Sequence, residues 1–179
     1  KYLAYTLYDE ETVNKIMSEN YIEQNTEKVN LDDEEGITIL KDKGYNLNWV
    51  GGGELEEEIK EAIIRLGLSN NINMLGHQKN VRTYLEKASV FLLPSISEGL
   101  SIATIEAQAM GIPCVVSDSV PSEVNCGLCK FMSLNDPPQE WAHQIDVLAT
   151  GKEKLTIDIE RLNRFEVSKT IRQLQEIYE

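Results

Sequence analysis

The stretch SVFLLPSISEGLSIATIEAQAMGIPCVVS, residues 89–117, decides the fold class, because it holds a strand, a loop, a helix and a second strand in succession. Ser89–Pro94 is an apolar run typical of a buried strand, and Ile102–Met110 is a nearly apolar helical segment. Gly111-Ile112-Pro113 ends the helix, and Cys114–Ser117 is the next short apolar run. This order predicts one unit of a parallel sheet.

The same alternation of strand and helix continues on both sides of this unit. Upstream, the patterns predict a strand at Asn46–Val50, a loop at Gly51-Gly52-Gly53, a helix within residues 54–68, a strand at Ile72–Leu75 and a helix over Val81–Ala88. Downstream, they predict an edge strand at Leu128–Met132 and a helix at Pro137–Ala149. The expected fold class is therefore α/β, with a Rossmann-like parallel sheet flanked by helices.

The two ends of the chain give weaker patterns. The elements expected there are a strand at Lys1–Thr6 and short helices at Glu11–Ser18, Gly36–Lys43 and Glu166–Tyr178. We expect residues 1–179 to form a single Rossmann-like domain, in which residues 1–45 are poorly defined and residues 150–179 form a terminal helical cap.

The chain is strongly acidic, with 17 Lys and Arg against 30 Asp and Glu and a formal net charge of −13. Such a surface repels phosphate backbones and anionic lipid head groups, so neither nucleic acid nor a membrane is an expected partner. No stretch reaches the ~18 consecutive apolar residues of a membrane span. We therefore expect a soluble, cytoplasmic protein.

Three cysteines, Cys114, Cys126 and Cys129, are too few for a disulfide scaffold and fit a reducing compartment. Cys126 and Cys129 have the spacing of half a zinc or redox site. A structural zinc site needs four ligands, and His77 and His143 do not form a ligand pair by their spacing. The expectation is therefore no bound metal and an incidental pair of loop cysteines.

Two carboxylates flank the start of the central helix. Glu98 lies in the loop after the strand, and Glu106 lies about one turn inside the helix. Loops and helix N-termini converge at the carboxyl edge of a parallel sheet, where such folds bind ligands, so both acids are predicted to face one crevice. The residues around the helix start whose backbone NH groups suit a phosphate are Gly99, Leu100, Ser101 and Ile102. Ser101 as an ordinary N-cap is the alternative, and both roles are compatible.

The composition of the helix indicates what Glu106 would accept. Because its neighbours are mostly apolar, we expect a buried helix and a buried carboxylate, which is unfavourable without hydrogen-bond donors. The vicinal diol of a ribose offers two hydroxyl donors, as in dinucleotide-binding folds. The alternative is a glutamate on the solvent face of the helix.

Glu98 and Glu106 are separated by seven residues and stand between Pro94 and the run Gly111–Asp118 (GIPCVVSD). This ordered set resembles the donor-sugar motif of the retaining glycosyltransferases of the GT-B fold, of the group 1 or family 4 type. The resemblance runs over about residues 45–118 and includes VGGGEL from Val50. The later part of the chain is more loosely similar to exopolysaccharide- and capsule-type members.

The resemblance implies a role for each matching position. Glu98 would be the catalytic carboxylate that contacts hydroxyls of the donor sugar, and Glu106 would bind the ribose. The backbone around Leu100, Ser101 and Ile102, after Gly99, would hold the diphosphate. The other implied donor-binding residues are Gln78, Lys79 and Asn80 beside the base, and Gly51, Gly52 and Gly53 lining the same cleft.

The implied reaction moves a sugar from a nucleotide-diphosphate sugar with retained configuration and without a bound metal or other cofactor. A UDP-sugar is the expected donor. Because GT-B enzymes have two Rossmann-like halves, we expect this chain to be the C-terminal half and to be inactive alone. A missing N-terminal half would bind the saccharide or lipid-linked saccharide acceptor and would place the protein at the inner face of the membrane.

The sequence departs from the family pattern after the first strand of this half, where an Arg and a Lys usually meet the charge of the diphosphate. No arginine precedes Arg65. Lys41 and Lys43 are the candidate substitutes, with ordinary surface lysines as the alternative. Two other functions therefore stay open: a non-catalytic module that binds sugar nucleotides, and a sugar-nucleotide epimerase of the same architecture.

Overall fold

A parallel sheet forms the centre of the molecule. The computed structural model describes residues 2–6, 40–53 and 56–166. Within these residues the strands are β1 (Tyr2–Thr6), β2 (Asn46–Val50), β3 (Ile72–Gly76), β4 (Val90–Leu93), β5 (Cys114–Ser117) and β6 (Cys129–Met132). All neighbouring strands are parallel, and their order across the sheet is β3-β2-β1-β4-β5-β6.

The order of the strands reverses at β1. Leu3 of β1 is paired with Leu47 on one side and with Val90 on the other. The chain therefore runs outward from β1 to β3, crosses back to β4, and continues outward to β6. Connections that leave a sheet in opposite directions open a crevice at the carboxyl ends of the two central strands. The loops that hold the predicted site residues follow β2, β3 and β4 at this edge.

Helices cover both faces of the sheet. They are α1 (Glu56–Arg65), α2 (Arg82–Leu85), α3 (Ile102–Ala109), α4 (Pro138–Ala149) and α5 (Ile159–Leu162), with 3-10 turns at Ser122–Val124 and Asn163–Phe165. The three acidic residues in the first turn of α1 and Arg65 in its last turn complement the helix dipole. No helix in the described part of the chain is long and apolar enough to cross a membrane.

The alternation of side chains explains the two layers of helices. Phe91 and Leu93 of β4 belong to a core cluster with α2 and α3, whereas Val90 packs in a cluster with α4. On β2, Leu47 packs toward the α4 cluster and Trp49 against α1. Because positions two apart share a face of a strand, α1 and α4 cover one face and α2 and α3 cover the other. Burial on both faces accounts for the continuous apolar runs.

The predicted α/β architecture is confirmed. Strands β2 to β5 lie within two residues of the predicted bounds, and Lys1–Thr6 and Leu128–Met132 also contain strands, β1 and the edge strand β6. Of the helix predicted at Gly36–Lys43, only the last residues are described, and residues 40–42 are helical. The helices predicted at Glu11–Ser18 and Glu166–Tyr178 fall outside the described residues, apart from Glu166. The domain limits stay a prediction.

A buried carboxylate ties α4 to the segment before β2. Asp146 is 5% exposed and accepts hydrogen bonds from Lys43 Nζ at 2.7 Å and from the Tyr45 hydroxyl at 3.0 Å. The hydrogen bond from Lys43 is the main cause that lowers the pKa of Asp146, while burial opposes it. Burial, followed by the contact with Asp146, raises the pKa of Tyr45.

Replacing Asp146 with Asn is expected to lower the free energy of unfolding by about 1–3 kcal/mol at pH 7, because it removes charge-assisted hydrogen bonds. A carboxyl whose pKa is lowered by folding stabilises the protein above its unfolded pKa of about 4, and this contribution is lost as the pH falls through the folded value. In urea unfolding, the difference in free energy of unfolding between wild type and Asp146→Asn should therefore become smaller below pH 4. The exposed Glu61→Gln is the control, and a difference that is constant from pH 7 to pH 3 would contradict the prediction.

Candidate functional site

The start of α3 offers unpaired backbone NH groups. Ser101 is the N-cap, and its Oγ accepts a hydrogen bond from the NH of Thr104 at 3.4 Å. The NH groups of Leu100, Ser101 and Ile102 make no hydrogen bond to another described residue. The space beside Gly99 is open in the described part of the chain, where no atom lies within 4 Å of an added Cβ. The positive end of the helix is therefore accessible to an anion.

Glu98 is held by a neighbouring serine in the loop after β4. Ser95 Oγ donates a hydrogen bond to Glu98 Oε1 at 2.9 Å. Ser95 is buried, whereas Glu98 is half-buried and reaches the surface. The carboxylate is thus fixed on one oxygen and available on the other.

Glu106 lies on an exposed stripe of α3 together with Ile102 and Ala109, at positions i, i+4 and i+7. The buried residues of the helix are Ala103, Thr104, Ile105, Ala107 and Gln108. The expectation that Glu106 is buried is therefore wrong. Apolar residues, Ile102 and Ala109, continue onto the exposed side of α3, so its composition suggested burial on every face.

A cavity of about 590 Å³ opens between α3 and the segment that leads into α2. Its lining residues are Lys79, Asn80, Val81, Arg82 and Leu85 on one side and Glu106, Ala109 and Met110 on the other. This volume lies within the range of roughly 300–1,000 Å³ for small-molecule sites. The cavity brings Glu106 together with Lys79 and Asn80. Glu98 and the three-glycine loop are not part of its lining.

The side chain of Gln78 is engaged within the chain. Its Nε2 donates to the carbonyl of Leu75 at 2.5 Å, and its Oε1 accepts from the Tyr84 hydroxyl at 3.2 Å. Gln78 therefore braces the loop that carries Lys79 and Asn80, and its amide already has a partner at each end.

The loop Gly51–Gly53 lies against the end of β3. The NH of Gly51 donates to the carbonyl of Gly76 at 2.9 Å, and Gly51 has a φ of 123°, which disfavours any other residue. A Cβ added to Gly52 would lie 3.1 Å from Glu56 Oε2, whereas no atom of the described residues lies within 4 Å of one added to Gly53. The loop thus reaches the carboxyl edge beside the residues that follow β3.

Lys41 and Lys43 lie away from the carboxyl edge. Both precede β2, so they stand at the amino edge of the sheet, opposite the edge that holds Glu98. Lys43 is paired with Asp146 at 2.7 Å, and Lys41 Nζ donates to the carbonyl of Gly67 at 3.3 Å. In the family pattern, an Arg and a Lys form a basic clamp that meets the charge of the diphosphate. The hypothesis that Lys41 and Lys43 replace this clamp is therefore wrong. Among the described residues, the basic side chains that line the cavity belong to the segment before and within α2.

Gln108 anchors the buried face of α3, a role that the sequence analysis missed. Its Nε2 donates to the carbonyls of Thr104 at 3.1 Å and Val124 at 2.8 Å. Its Oε1 accepts from the NH groups of Cys126 at 2.7 Å and Leu128 at 3.3 Å. The amide thus uses both donors and both acceptor sites. A glutamine among the apolar residues of a helix was the signal that could have indicated it.

The strand order and the accessible carboxyl edge define a doubly wound, Rossmann-like α/β protein, a class that binds nucleotide-containing ligands at this edge. Residues 34–150, well over half of the chain, match the family described as Glycosyl transferases group 1. The chain belongs to this family, and the resemblance carried by its motif is confirmed.

Relatives and solved structures agree with this assignment. The chain is 35% identical over 120 residues to the glycosyltransferase EpsF of Bacillus subtilis (strain 168), which covers 64% of this chain and 31% of EpsF. It is 34% identical over 151 residues to the capsular polysaccharide biosynthesis glycosyltransferase CapH of Staphylococcus aureus, which covers 79% of this chain and 41% of CapH.

The crystal structure of Anabaena Alr3699/HepE in complex with UDP superimposes with a TM-score of 0.71 at 16% identity, over 99% of this chain and 48% of that one. This likeness confirms the expected GT-B type of fold. The chain spans less than half of the length of each of these three proteins.

Replacing Gln108 with Met retains most of the buried volume but leaves the NH groups of Cys126 and Leu128 without an acceptor. We expect the free energy of unfolding to fall by about 2–4 kcal/mol. Gln144→Met is the matched control, because Gln144 is half-buried and its side chain, within the residues that the structure describes, makes one hydrogen bond, to Glu153. Equal decreases in the free energy of unfolding for the two variants, measured by urea unfolding, would contradict the role of Gln108.

Proposed function

We propose that this chain is the donor-binding unit of a glycosyltransferase of polysaccharide biosynthesis. In this proposal a sugar moves, with retained configuration and without a bound metal, from a UDP-sugar to a saccharide or lipid-linked saccharide. The family assignment, the name of CapH and the UDP bound to Alr3699/HepE support the proposal. Sequence outside this chain would bind the acceptor. The proposed compartment is the cytoplasm, which suits three free cysteines.

One observation carries the proposal: Glu106 faces Lys79 and Asn80 across a single cavity beside the C-terminal half of α3, one turn beyond the start of the helix. A carboxylate can accept hydrogen bonds from both hydroxyls of a ribose diol. The segment on the opposite wall would then contact the base. Because Glu106 is exposed, the diol replaces water on the carboxylate, and the gain from each hydrogen bond is modest.

The proposed transfer builds negative charge on the leaving diphosphate, and donors aimed at that charge lower the barrier. The NH groups at the start of α3 that pair with no described residue are such donors, and Lys79 and Arg82 are the cations that line the cavity beside Glu106. Arg82 Nε is paired with Glu86 at 2.9 Å in an exposed contact of low energy, which a diphosphate could replace. Glu98 would accept hydrogen bonds from hydroxyls of the donor sugar.

A second candidate is a module that binds sugar nucleotides without transferring the sugar. The observation that favours it is the engagement of Lys41 and Lys43 at the opposite edge, which leaves the usual basic clamp unassigned among the described residues. Transfer of a labelled sugar by the protein with its acceptor-binding sequence would favour the enzyme. Donor binding without transfer would favour the module.

Replacing Glu106 with Gln should weaken the binding of UDP by about 1–2 kcal/mol, because an amide offers one acceptor oxygen without charge to the ribose diol. Titration calorimetry on the 179-residue chain measures the change. The control is Glu61→Gln, an exposed carboxylate on α1 away from the cavity. An unchanged affinity in Glu106→Gln would reject the ribose assignment.

Metal independence gives a separate prediction. If protein donors and cations meet the charge of the diphosphate, the Kd for UDP should agree within about twofold in EDTA and in millimolar Mg²⁺. The expected agreement contrasts with sites in which a metal bridges the phosphates. An affinity at least about tenfold higher in Mg²⁺ would show that the site recruits a metal ion.

A further inference from the structure

Two serines link Glu98 to the neighbouring strand. Ser117, the last residue of β5, donates a hydrogen bond from its Oγ to the carbonyl of Ser95. Ser95 in turn donates from its Oγ to Glu98 Oε1 at 2.9 Å. Both serines are buried, with 0% exposure for Ser117 and 2% for Ser95. Two hydrogen bonds, one to the backbone and one from the side chain of Ser95, therefore connect β5 to the carboxylate through this residue.

The sheet places these groups next to one another. Leu93 of β4 is in register with Val116 of β5, so the ends of the two strands are level. Ser95, two residues beyond Leu93, then meets Ser117, one residue beyond Val116. An ionised carboxylate only accepts hydrogen bonds, so the hydroxyl of Ser95 must be the donor. Such charge-assisted bonds are about twice as strong as neutral ones.

We infer that Ser95 is a positioning residue that presents Glu98 to the sugar of the donor, an inference that rests on the proposed function. The bond to Ser95 occupies one site on Oε1 and leaves Oε2 for hydroxyls of the sugar. Holding the carboxylate in place before binding removes part of the ordering cost that the complex would otherwise carry. Ser117 acts one step further back, by fixing the carbonyl of Ser95.

This role has a signature that a general structural role lacks. Glu106 and the start of α3 serve the nucleotide, whereas Glu98 serves the sugar. Loss of the Ser95 hydroxyl should therefore reduce only the affinity that the sugar adds to UDP. A serine that merely supported the fold would affect the binding of UDP and of UDP-sugars together.

The test compares the Kd of UDP with those of UDP-glucose, UDP-galactose and UDP-N-acetylglucosamine by titration calorimetry. The variants are Ser95→Ala, Ser95→Thr, which retains the hydroxyl, and Ser117→Ala. The matched control is Ser133→Ala, because Ser133 follows β6 at the same edge and its Oγ accepts, among the described residues, a hydrogen bond from the NH of Asn135 alone. Thermal unfolding followed by circular dichroism verifies that each variant is folded.

We call the ratio of the Kd of UDP to the Kd of the tightest-binding UDP-sugar the gain from the sugar. For Ser95→Ala we expect a Kd for UDP within about twofold of wild type and a gain that is about 3- to 30-fold smaller. Ser95→Thr should retain most of the gain, and Ser117→Ala should lose less of it than Ser95→Ala. An unchanged gain in Ser95→Ala, or equal losses for UDP and the UDP-sugar, would overturn the inference. If Ser95→Ala does not fold, the comparison of Ser117→Ala with Ser133→Ala decides the question. A smaller gain from the sugar in Ser117→Ala alone, with the Kd of UDP unchanged, would support the inference, and equal gains in the two variants would overturn it.

The wild-type chain separates this inference from the proposed function. Failure to bind both UDP and all three UDP-sugars would overturn the proposed function and the inference with it. Binding of UDP with no gain from any of the sugars would overturn the role of Glu98, and hence of Ser95, while nucleotide binding at the cavity would stand.

Discussion

The position of β4 between β1 and β5 is the constraint on which the candidate site depends. Phe91 and Leu93 are buried on one face of β4 and Val90 on the other, so a shift of one residue would exchange the two sets of side chains. The backbone is also paired on both sides. The point at which the chain leaves the sheet at Pro94 is therefore fixed. The loop with Glu98 and the start of α3 are thus placed at the reversal of the strand order, where adjacent connections diverge.

Buried polar groups then fix the orientation of α3 and of the loop with Glu98, which apolar packing alone would leave adjustable. Hydrophobic contacts are non-directional, so a helix such as α3 could rotate or slide by a small amount at little cost. The amide of Gln108 prevents this, because any movement would break hydrogen bonds that no water can replace. On the loop, Ser95 and Ser117 have the same effect. One face of α3 is thereby anchored, and the opposite face, with Glu106, is left accessible.

The sequence predicted the strands β2 to β5 and helix α3 because buried parallel strands and their glycine or proline boundaries leave local signals. β1 has five residues and weak periodicity, and its conformation depends on pairing with strands more than 40 positions away. The exposure of Glu106 could not be predicted, since apolar residues on a helix serve a core and a ligand-binding surface alike. The placement of Lys41 and Lys43 was predictable in principle, because residues that precede a parallel strand stand at its amino edge.

The acidity of the chain is compatible with the proposed binding of a diphosphate, because electrostatic interactions are local. At physiological ionic strength, exposed charges beyond about 8–10 Å are largely screened. Both α1 and α3 begin at the carboxyl edge, but the first turn of α1 contains Glu56, Glu57 and Glu58, whereas that of α3 has no acidic residue. The dipole of α1 is thus already complemented by carboxylates that repel an anion, and the start of α3 is open to one. Under the proposed function, anionic groups would bind at the helix start and hydroxyl groups at Glu98 and Glu106, so the charge pattern itself would orient the donor.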